Sequence, residues 1–186
     1  MSLNLFIVIE GIDGSGKSTV AKIVADKLGA QAIETPQGRW RKYRHFVENS
    51  HPTIRFLYYT VANHFSSISI RKKLKKNSVV CSRFIHSTKA HHIVYGCKLA
   101  YWLPLNLMAN KKPDLVYYLY VNQIERERRI NQRATNTEKD RESKTLKKVH
   151  RIFCKLPGLI RIDTSNTSEH EVAKIICDDI DSKTAR

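Results

Sequence analysis

Short apolar runs alternate along the chain with segments whose apolar residues recur every three or four positions. The clearest runs, 5–9 and 115–121, are apolar at nearly every position, which predicts strands that are buried on both faces of a sheet. Shorter runs predict three more strands, at 32–34, 78–81 and 159–162. Helical spacing predicts helices at 39–48, 53–75, 86–95, 124–133 and 170–181.

This alternation of strands and helices indicates an α/β protein with a parallel sheet, because parallel strands need a crossover, usually helical, between them. The sequence predicts a three-layer sandwich, in which helices cover both faces of a five-stranded parallel sheet. The chain has no internal repeat, low-complexity tract or linker, so we expect a single domain over 1–186.

The chain is strongly basic, with 33 lysine and arginine residues, 17 acidic residues and a net charge of +16. Such a charge suits either nucleic acid or a phosphate-rich small substrate. The basic residues concentrate at 39–44, 71–76 and 126–148, without an aromatic-basic RNA motif or a basic tail. We therefore expect no specific nucleic-acid partner. A nucleic-acid-binding ATPase is the alternative, but no acidic pair follows an apolar strand to position a hydrolytic water.

Cysteine spacing and hydropathy bear on location. The four cysteines are scattered and include no C-x-x-C pair, which indicates reduced thiols. No apolar run approaches the length of a membrane span, and no basic region precedes the first apolar run. We expect a cytoplasmic protein with no membrane partner.

Residues 11–18 form the pattern G-x-x-x-x-G-K-S between the first predicted strand and a helix. In such a loop, glycines let backbone N–H groups approach phosphates, and the helix N-terminus adds partial positive charge. Lys17 would reach the β- and γ-phosphates, and the Ser18 hydroxyl would ligate Mg²⁺. The sequence therefore predicts that the three-layer sandwich is that of a P-loop NTPase, and that the chain binds a nucleoside triphosphate together with Mg²⁺.

Beyond this loop, the chain resembles the thymidylate kinase family, a branch of the P-loop nucleoside monophosphate kinases, over nearly its whole length. Residues 6–19 are very similar to the family's opening, including Asp13 inside the loop. A Thr-Pro pair at 35–36 with Arg44, and then a triplet at 82–84 after the third strand, match the family's next motifs in order.

The resemblance implies that the chain transfers phosphate from ATP to a pyrimidine deoxynucleoside monophosphate. The expected acceptor is dTMP, which would give dTDP. The resemblance also implies a homodimer formed through the helix at 53–75. Catalysis between two polyanions depends on positioning and on charge neutralisation. The resemblance assigns the ATP site to Gly11, Gly14, Ser15, Gly16, Lys17, Ser18, Thr19 and Arg129, with the metal at Ser18. It assigns catalysis to Asp13, Lys17, Arg83 and Arg133. It assigns acceptor binding to Arg44, Tyr58, Arg83, Thr88 and His91, with Arg39 and Arg41 as alternatives to Arg44.

A mobile lid over about 129–145 follows from the same resemblance. Family members that lack an arginine inside the phosphate loop supply one from the lid, and this loop carries Gly14 at that position. The candidates are Arg129, Arg133 and Arg141, which the sequence does not rank. A solvated helical face is the alternative for this segment of mixed charge.

Three departures from the family pattern affect the expected activity. Ser82 stands where the family has an aspartate that steadies the Mg²⁺ shell. Tyr58 would supply an aromatic residue against the base, but Ala62 stands four residues later in place of the arginine that reads thymine. Thr88 and His91 replace a polar residue and a tyrosine. A weakly active nucleotide-binding paralogue is therefore an alternative to the kinase.

The acceptor has alternatives as well. The pattern at 55–59, together with 86–88, also resembles the mitochondrial UMP/CMP-kinase branch of the family. Because these departures fall in the predicted base pocket, dUMP, UMP and CMP stay open beside dTMP.

Overall fold

The computed structural model describes residues 4–132 and 143–184. Five strands form one sheet, in the spatial order β2-β3-β1-β4-β5. They are β1 (Phe6–Gly11), β2 (Gln31–Glu34), β3 (Val79–Ser82), β4 (Leu115–Tyr120) and β5 (Ile160–Asp163). Every neighbouring pair runs parallel. The predicted parallel sheet is confirmed, with strand bounds within two residues of the apolar runs.

Helices connect the strands. In the described part of the chain they are α1 (Lys17–Lys27), α2 (Gly38–Val47), α3 (Pro52–Lys73), α4 (Ile85–Val94), α5 (Lys98–Trp102), α6 (Gln123–Asn131), α7 (Ser143–Lys155) and α8 (Glu169–Thr184). A single 3₁₀ turn, Leu105–Leu107, follows α5. None of these helices is both long and apolar enough to span a bilayer, within the residues described.

The sheet is covered on both faces because successive side chains of a strand point to opposite sides. On β1, Phe6 and Val8 pack in one apolar cluster with Phe56 of α3. Ile7 and Ile9 pack in a second cluster with residues of α1 and α8. All four β1 side chains are fully buried, which explains why this strand is a continuous apolar run. The three-layer arrangement predicted from the sequence is confirmed.

Helix α7 was not among the predicted elements. Its residues Leu146, Val149 and Phe153 are buried at helical spacing against α4 and β4, while most of the other positions are basic or polar. The predicted lid at 129–145 overlaps the end of α6 and the start of α7. Residues 133–142 lie outside the described residues, so the lid stays a prediction.

The fold brings the loops that carry the sequence motifs to one edge of the sheet. Ile9 of β1 pairs with Ser82 of β3, so the phosphate loop and the triplet at 82–84 leave the sheet side by side. In open parallel sheets, ligands bind beyond these carboxyl ends of the strands.

Candidate active site

The phosphate loop joins β1 to α1 in a tight turn that needs its glycines. A Cβ atom on Gly11 would lie 2.7 Å from the carbonyl oxygen of Leu119, too close for any side chain. Gly14 has a φ of +90°, a conformation that other residues rarely adopt. Helix α1 begins at Lys17, so its first N–H groups face the concave side of the loop. This geometry binds phosphate.

The side chain of Asp13 lies between two cations. Lys17 Nζ is 3.1 Å from Asp13 Oδ1, and an Arg83 Nη2 group donates to the same oxygen. Burial raises the pKa of the Asp13 carboxyl, but Lys17 and Arg83 outweigh this effect and hold the pKa far below its usual value. Asp13 is therefore ionised at neutral pH. It contacts both Lys17, predicted to bind the phosphates of ATP, and Arg83, predicted to bind the phosphate of the acceptor nucleotide.

Arg83 leaves β3 in an uncommon backbone conformation, with a φ of +64°. Its N–H donates to Ile9 O at 3.1 Å, and its carbonyl accepts the Thr35 hydroxyl at 2.7 Å. This turn aims the guanidinium back across the end of the sheet towards Asp13. One residue earlier, the Ser82 hydroxyl lies 3.3 Å from the Ser18 hydroxyl at the start of α1.

A cavity of about 580 Å³ opens beside Asp13 and Arg83, between α2, α3 and α4. Its polar and aromatic lining includes Arg44, Arg55, Tyr59, Asn63, Ser87, Thr88, His91, His92 and Tyr95. The volume is in the range of small-molecule sites. The lining combines cations, among them Arg83, with the aromatic rings of Tyr59 and Tyr95, as a nucleoside monophosphate requires.

Among the residues predicted to bind the acceptor, Tyr58 does not line this cavity. Its hydroxyl donates to the carbonyl of Trp40 on α2 at 2.5 Å, because its position on α3 faces the neighbouring helix. The next residue, Tyr59, lines the cavity, and so does Asn63 four residues later. The aromatic-plus-four spacing therefore exists here, shifted by one residue from the predicted pair.

Asn63 and Thr88 form a buried polar pair in the cavity wall. Asn63 Nδ2 donates to Thr88 Oγ1 at 2.9 Å, and both residues are nearly inaccessible to solvent. Among the residues that the structure describes, the Asn63 carbonyl oxygen accepts no hydrogen bond from protein. Sequence reasoning missed Asn63, although an asparagine on the apolar face of a long helix is itself a signal.

The histidines of α4 are neutral at physiological pH. Burial lowers the pKa of His91 to about 3, with Arg83 contributing. Burial also lowers the pKa of His92 to about 4. Within the described chain, Nε2 of His91 is buried without a hydrogen-bond partner. His91 therefore presents an uncharged ring to the cavity.

Arg129 of α6, predicted to bind ATP, lies close to Gly16 of the phosphate loop. Its guanidinium donates to Thr164 O at 2.7 Å and pairs with Glu125 at 2.7 Å. A Cβ atom built on Gly16 would lie 3.9 Å from Arg129 Nη1. The other two predicted arginines, Arg133 and Arg141, lie outside the described residues.

The family of the chain follows from comparison with known proteins. A family model described as thymidylate kinase matches residues 9–176. The chain belongs to the thymidylate kinase family. It is a nucleoside monophosphate kinase by this membership, and ATP binding at the phosphate loop follows from the family.

Relatives agree with the family, and a solved structure agrees with the fold. A probable thymidylate kinase of Methanocaldococcus jannaschii is 32% identical over 178 residues, which cover 91% of this chain and 92% of the relative. UMP-CMP kinase 2, mitochondrial, of Homo sapiens is 31% identical over 200 residues, which cover 91% of this chain and 41% of the relative. The solved structure of thymidylate kinase from Candida albicans aligns over 98% of this chain and 94% of its own, with a TM-score of 0.79 at 18% identity. The P-loop NTPase fold is confirmed.

One feature of the loop was not anticipated from the thymidylate kinase pattern. The stem of Arg126 from α6 packs beside Gly14, where a Cβ atom would lie 2.7 Å from Arg126 Cγ. Arg126 is nearly fully buried. The space next to Gly14, the position of the family's loop arginine, is thus taken by an arginine stem from another element. The resemblance indicated Arg129, Arg133 and Arg141 as candidates for this arginine instead.

The residues at the start of α1 fit a magnesium ion. Mg²⁺ prefers oxygen ligands and keeps several of its waters. The Ser18 side chain is exposed beside the loop, with the Ser82 hydroxyl 3.3 Å away and the ionised Asp13 carboxylate five residues earlier in the same loop. Every donor in this set is an oxygen.

Proposed function

We propose that the chain transfers the γ-phosphate of ATP to dTMP and releases ADP and dTDP. The observation that carries this proposal is the shared carboxylate of Asp13, which holds Lys17 and Arg83 on adjacent sides. Lys17 belongs to the phosphate loop, and Arg83 borders the acceptor cavity. Two phosphate groups bound to these cations would lie next to each other, in the arrangement that phosphoryl transfer needs.

The proposed reaction assigns a role to each charged group. An oxygen of the acceptor phosphate attacks the γ-phosphorus, and the bond to the β-bridging oxygen breaks as ADP leaves. Lys17 neutralises charge on the donor oxygens, and Arg83 orients the acceptor phosphate through its planar fork. Arg44 at the cavity rim would bind the same phosphate, and Arg129 would lie against the ATP.

Mg²⁺ would bind at the Ser18 hydroxyl and supply charge neutralisation to the β- and γ-phosphates. Asp13 and Ser82 would contact its water shell. No residue of the family's aspartate type stands at position 82, so the fixed negative charge nearest to Ser18 in the loop is that of Asp13.

Tyr59 and Asn63 would contact the base, and Asn63 favours a pyrimidine that carries an N3–H. Tyr59 offers an aromatic face for stacking. The Asn63 amide is oriented by Thr88, since its nitrogen donates to the Thr88 hydroxyl at 2.9 Å. Its carbonyl oxygen then accepts the N3–H of thymine or uracil, whereas cytosine has a lone pair at that position. His91, neutral and with Nε2 unpaired, suits a sugar hydroxyl.

An assay across acceptors tests the proposal. ADP formation is measured by a coupled assay with dTMP, dUMP, UMP and CMP as acceptors. We expect the highest kcat/KM with dTMP, lower values with dUMP and UMP, and the lowest with CMP. A preference for CMP would overturn the role of Asn63 and favour the branch that the human UMP-CMP kinase 2 represents.

A weakly active nucleotide-binding paralogue is the second candidate, and Ser82 is the observation that favours it. For this candidate, calorimetry would detect ATP binding while all four acceptors give only background ADP formation. Any acceptor that supports sustained turnover excludes it.

We further propose that two copies of the chain associate through α3. Its outward face carries exposed apolar residues at three-, four- and seven-residue spacing, namely Ile54, Leu57, Val61, Phe65 and Ile68. Phe46 of the adjacent α2 is 69% exposed. An apolar stripe of this length on one helix is typical of a self-association surface.

We also propose a cytoplasmic location. All four cysteines are unpaired in the structure, which supports a reducing compartment. The expectation that the chain has no specific nucleic-acid partner stays a prediction.

A further inference from the structure

Glu10 is the last residue but one of β1, and none of its surface reaches solvent. It therefore cannot touch ATP or the acceptor. A buried acidic side chain needs hydrogen-bond donors around it, and the identity of those donors indicates its role.

Among the residues that the structure describes, the hydrogen-bond donors to Glu10 come from the start of α4. Oε1 accepts the backbone N–H groups of Phe84 at 2.9 Å and Ser87 at 3.2 Å, and Oε2 accepts the Ser87 hydroxyl. The ring of His86 is also close, with Nδ1 at 3.8 Å from Oε1. Helix α4 has no side-chain cap from its own N-cap residue, Phe84. Glu10 thus caps α4 from a different element of the fold.

This cap helps to fix the backbone around Arg83, where the chain turns from β3 into α4. Arg83 lies directly before the capped N–H of Phe84, and its own N–H donates to Ile9 O at 3.1 Å. The backbone on both sides of Arg83 is therefore bound to consecutive residues of β1, Ile9 and Glu10. Between these two attachments, Arg83 adopts its φ of +64° and directs its guanidinium at Asp13.

We propose that Glu10 is a positioning residue for the acceptor arginine: by capping α4 it holds the turn that places the Arg83 guanidinium beside Asp13. The same strand runs directly into the phosphate loop, so β1 sets the relative position of Lys17 and Arg83. The inference goes beyond the proposed function and rests on it only for the acceptor used as a readout.

A double-mutant cycle tests this role. Glu10→Ala is expected to lower kcat/KM for dTMP at least about tenfold, because a small displacement of a phosphate-orienting group is costly. The Kd for ATP is expected to change by less than about twofold. In an Arg83→Ala background, Glu10→Ala is expected to cause no further loss, since residues that act as a unit are non-additive. Losses that add in the double variant, or an equal loss of ATP affinity, would overturn the proposal.

Two conservative variants complete the cycle. In Glu10→Gln the amide oxygen still accepts both backbone N–H groups, so kcat/KM is expected to stay within about threefold of the wild type. Glu10→Asp shortens the side chain by one methylene group without leaving a large cavity, and it replaces Glu10→Ala in the cycle if that variant does not fold. Its kcat/KM for dTMP is expected to lie between those of the wild type and Glu10→Ala. In the Arg83→Ala background, Glu10→Asp is expected to cause no further loss. Exposed Glu127 on α6 provides the control, and Glu127→Ala is expected to change neither parameter.

A spectroscopic measurement separates failure of this proposal from failure of the proposed function. The guanidinium N–H signals of Arg83, assigned by their loss in Arg83→Ala, are recorded by NMR without nucleotide. They are expected to shift and broaden in Glu10→Ala and to be retained in Glu10→Gln. Unchanged signals in Glu10→Ala would refute the positioning role, whatever acceptor the wild type prefers. A wild type that phosphorylates no acceptor would refute only the proposed function.

Discussion

The hydroxyl groups of Ser18 and Ser82 lie 3.3 Å apart, so the start of α1 meets the end of β3 through two neutral side chains. Ser18 is the predicted metal ligand of the phosphate loop, and Ser82 occupies the position of the family's aspartate. The charge that the family carries at this contact is replaced by a hydrogen bond between serines.

Ser82→Asp is expected to raise kcat and to lower the Mg²⁺ concentration needed for half activity. A carboxylate that orients a metal-bound water is worth about 10–100-fold in affinity or rate. Mg²⁺ titrations of the coupled assay measure both quantities, and Ser82→Asn controls for side-chain size without charge. A fall in activity for Ser82→Asp alone would show that Asp13 already supplies the charge this site tolerates.

Lys17→Ala is expected to abolish phosphoryl transfer while the fold survives. Loss of one electrostatic contact to the transferring phosphate costs about 3–4 kcal/mol of barrier, or a rate factor on the order of 10²–10³. Single-turnover ADP formation and a thermal melt measure the two effects. Lys22, exposed on the same helix, gives the matched control Lys22→Ala, which is expected to turn over normally. Near wild-type turnover by Lys17→Ala would remove the phosphate-loop assignment.

Arg83→Ala is expected to weaken use of the acceptor far more than binding of ATP. A charge-assisted, bidentate contact to phosphate contributes about 2–3 kcal/mol, so kcat/KM for dTMP should fall about 100-fold. Calorimetry with ATP and steady-state kinetics with dTMP separate the two effects. Arg128→Ala, at an exposed arginine paired with Glu125, is the control. Equal losses for both nucleotides would assign Arg83 a structural ion pair instead.

Leu57→Glu is expected to convert a dimer to a monomer, because it places a charge within the apolar face of α3. Leu57 is 47% exposed and Ile175 on α8 is 48% exposed. Ile175→Glu therefore introduces the same charge at an equally exposed site away from α3 and should leave the mass unchanged. Sedimentation equilibrium measures the mass of each variant. A monomeric wild type, or identical behaviour of the two variants, contradicts association through α3.

Acid is expected to destabilise the folded chain through the histidines of α4. The pKa of His91 is lowered to about 3 and that of His92 to about 4, from a usual value of 6.5. Between these values the unfolded chain binds protons that the folded chain does not, so stability falls as the pH falls below 6.5. Each such histidine lowers the free energy of unfolding by about 1.4 kcal/mol per pH unit.

Urea unfolding at about pH 6.5 and about pH 4.5 measures this loss. His91→Gln removes one of the two titrating groups and is expected to reduce the loss over that interval by roughly 2–3 kcal/mol. An equal loss in the wild type and in His91→Gln would mean that His91 is already protonated in the folded chain.

The sheet and the phosphate loop were predictable because local sequence determines them. Strand β1 is covered on both faces, so all four residues from Phe6 to Ile9 are apolar. Such a continuous apolar run predicts a buried strand without knowledge of what packs against it. The loop is equally local, since strand, glycines and helix follow one another along the chain. The cap that Glu10 provides was not predictable in this way, because its donors lie more than 70 residues away.

Helix faces were harder to predict than helices. The helix at 53–75 was found by its spacing, but Tyr58 was chosen for the cavity where Tyr59 lies in it. One residue rotates a helical position by about 100°, and α3 carries apolar residues on its outer face as well as its inner face. In α7, Leu146, Val149 and Phe153 have helical spacing, but lysines between them resembled a charged lid. Only packing against α4 and β4 identifies the buried face.

The carboxylate of Asp13, held between Lys17 and Arg83, makes ligand binding an exchange of anions. A phosphate that arrives must compete with a carboxylate for the N–H donors of both cations, so an anion with a single charge or few oxygens gains little. Polyphosphates and phosphate monoesters bring more oxygens than Asp13 and can win the exchange. In a chain with a net charge of +16, this internal anion screens the two reactive cations from adventitious counterions. The Asp13 carboxylate thus favours phosphate ligands independently of the residues that contact the base.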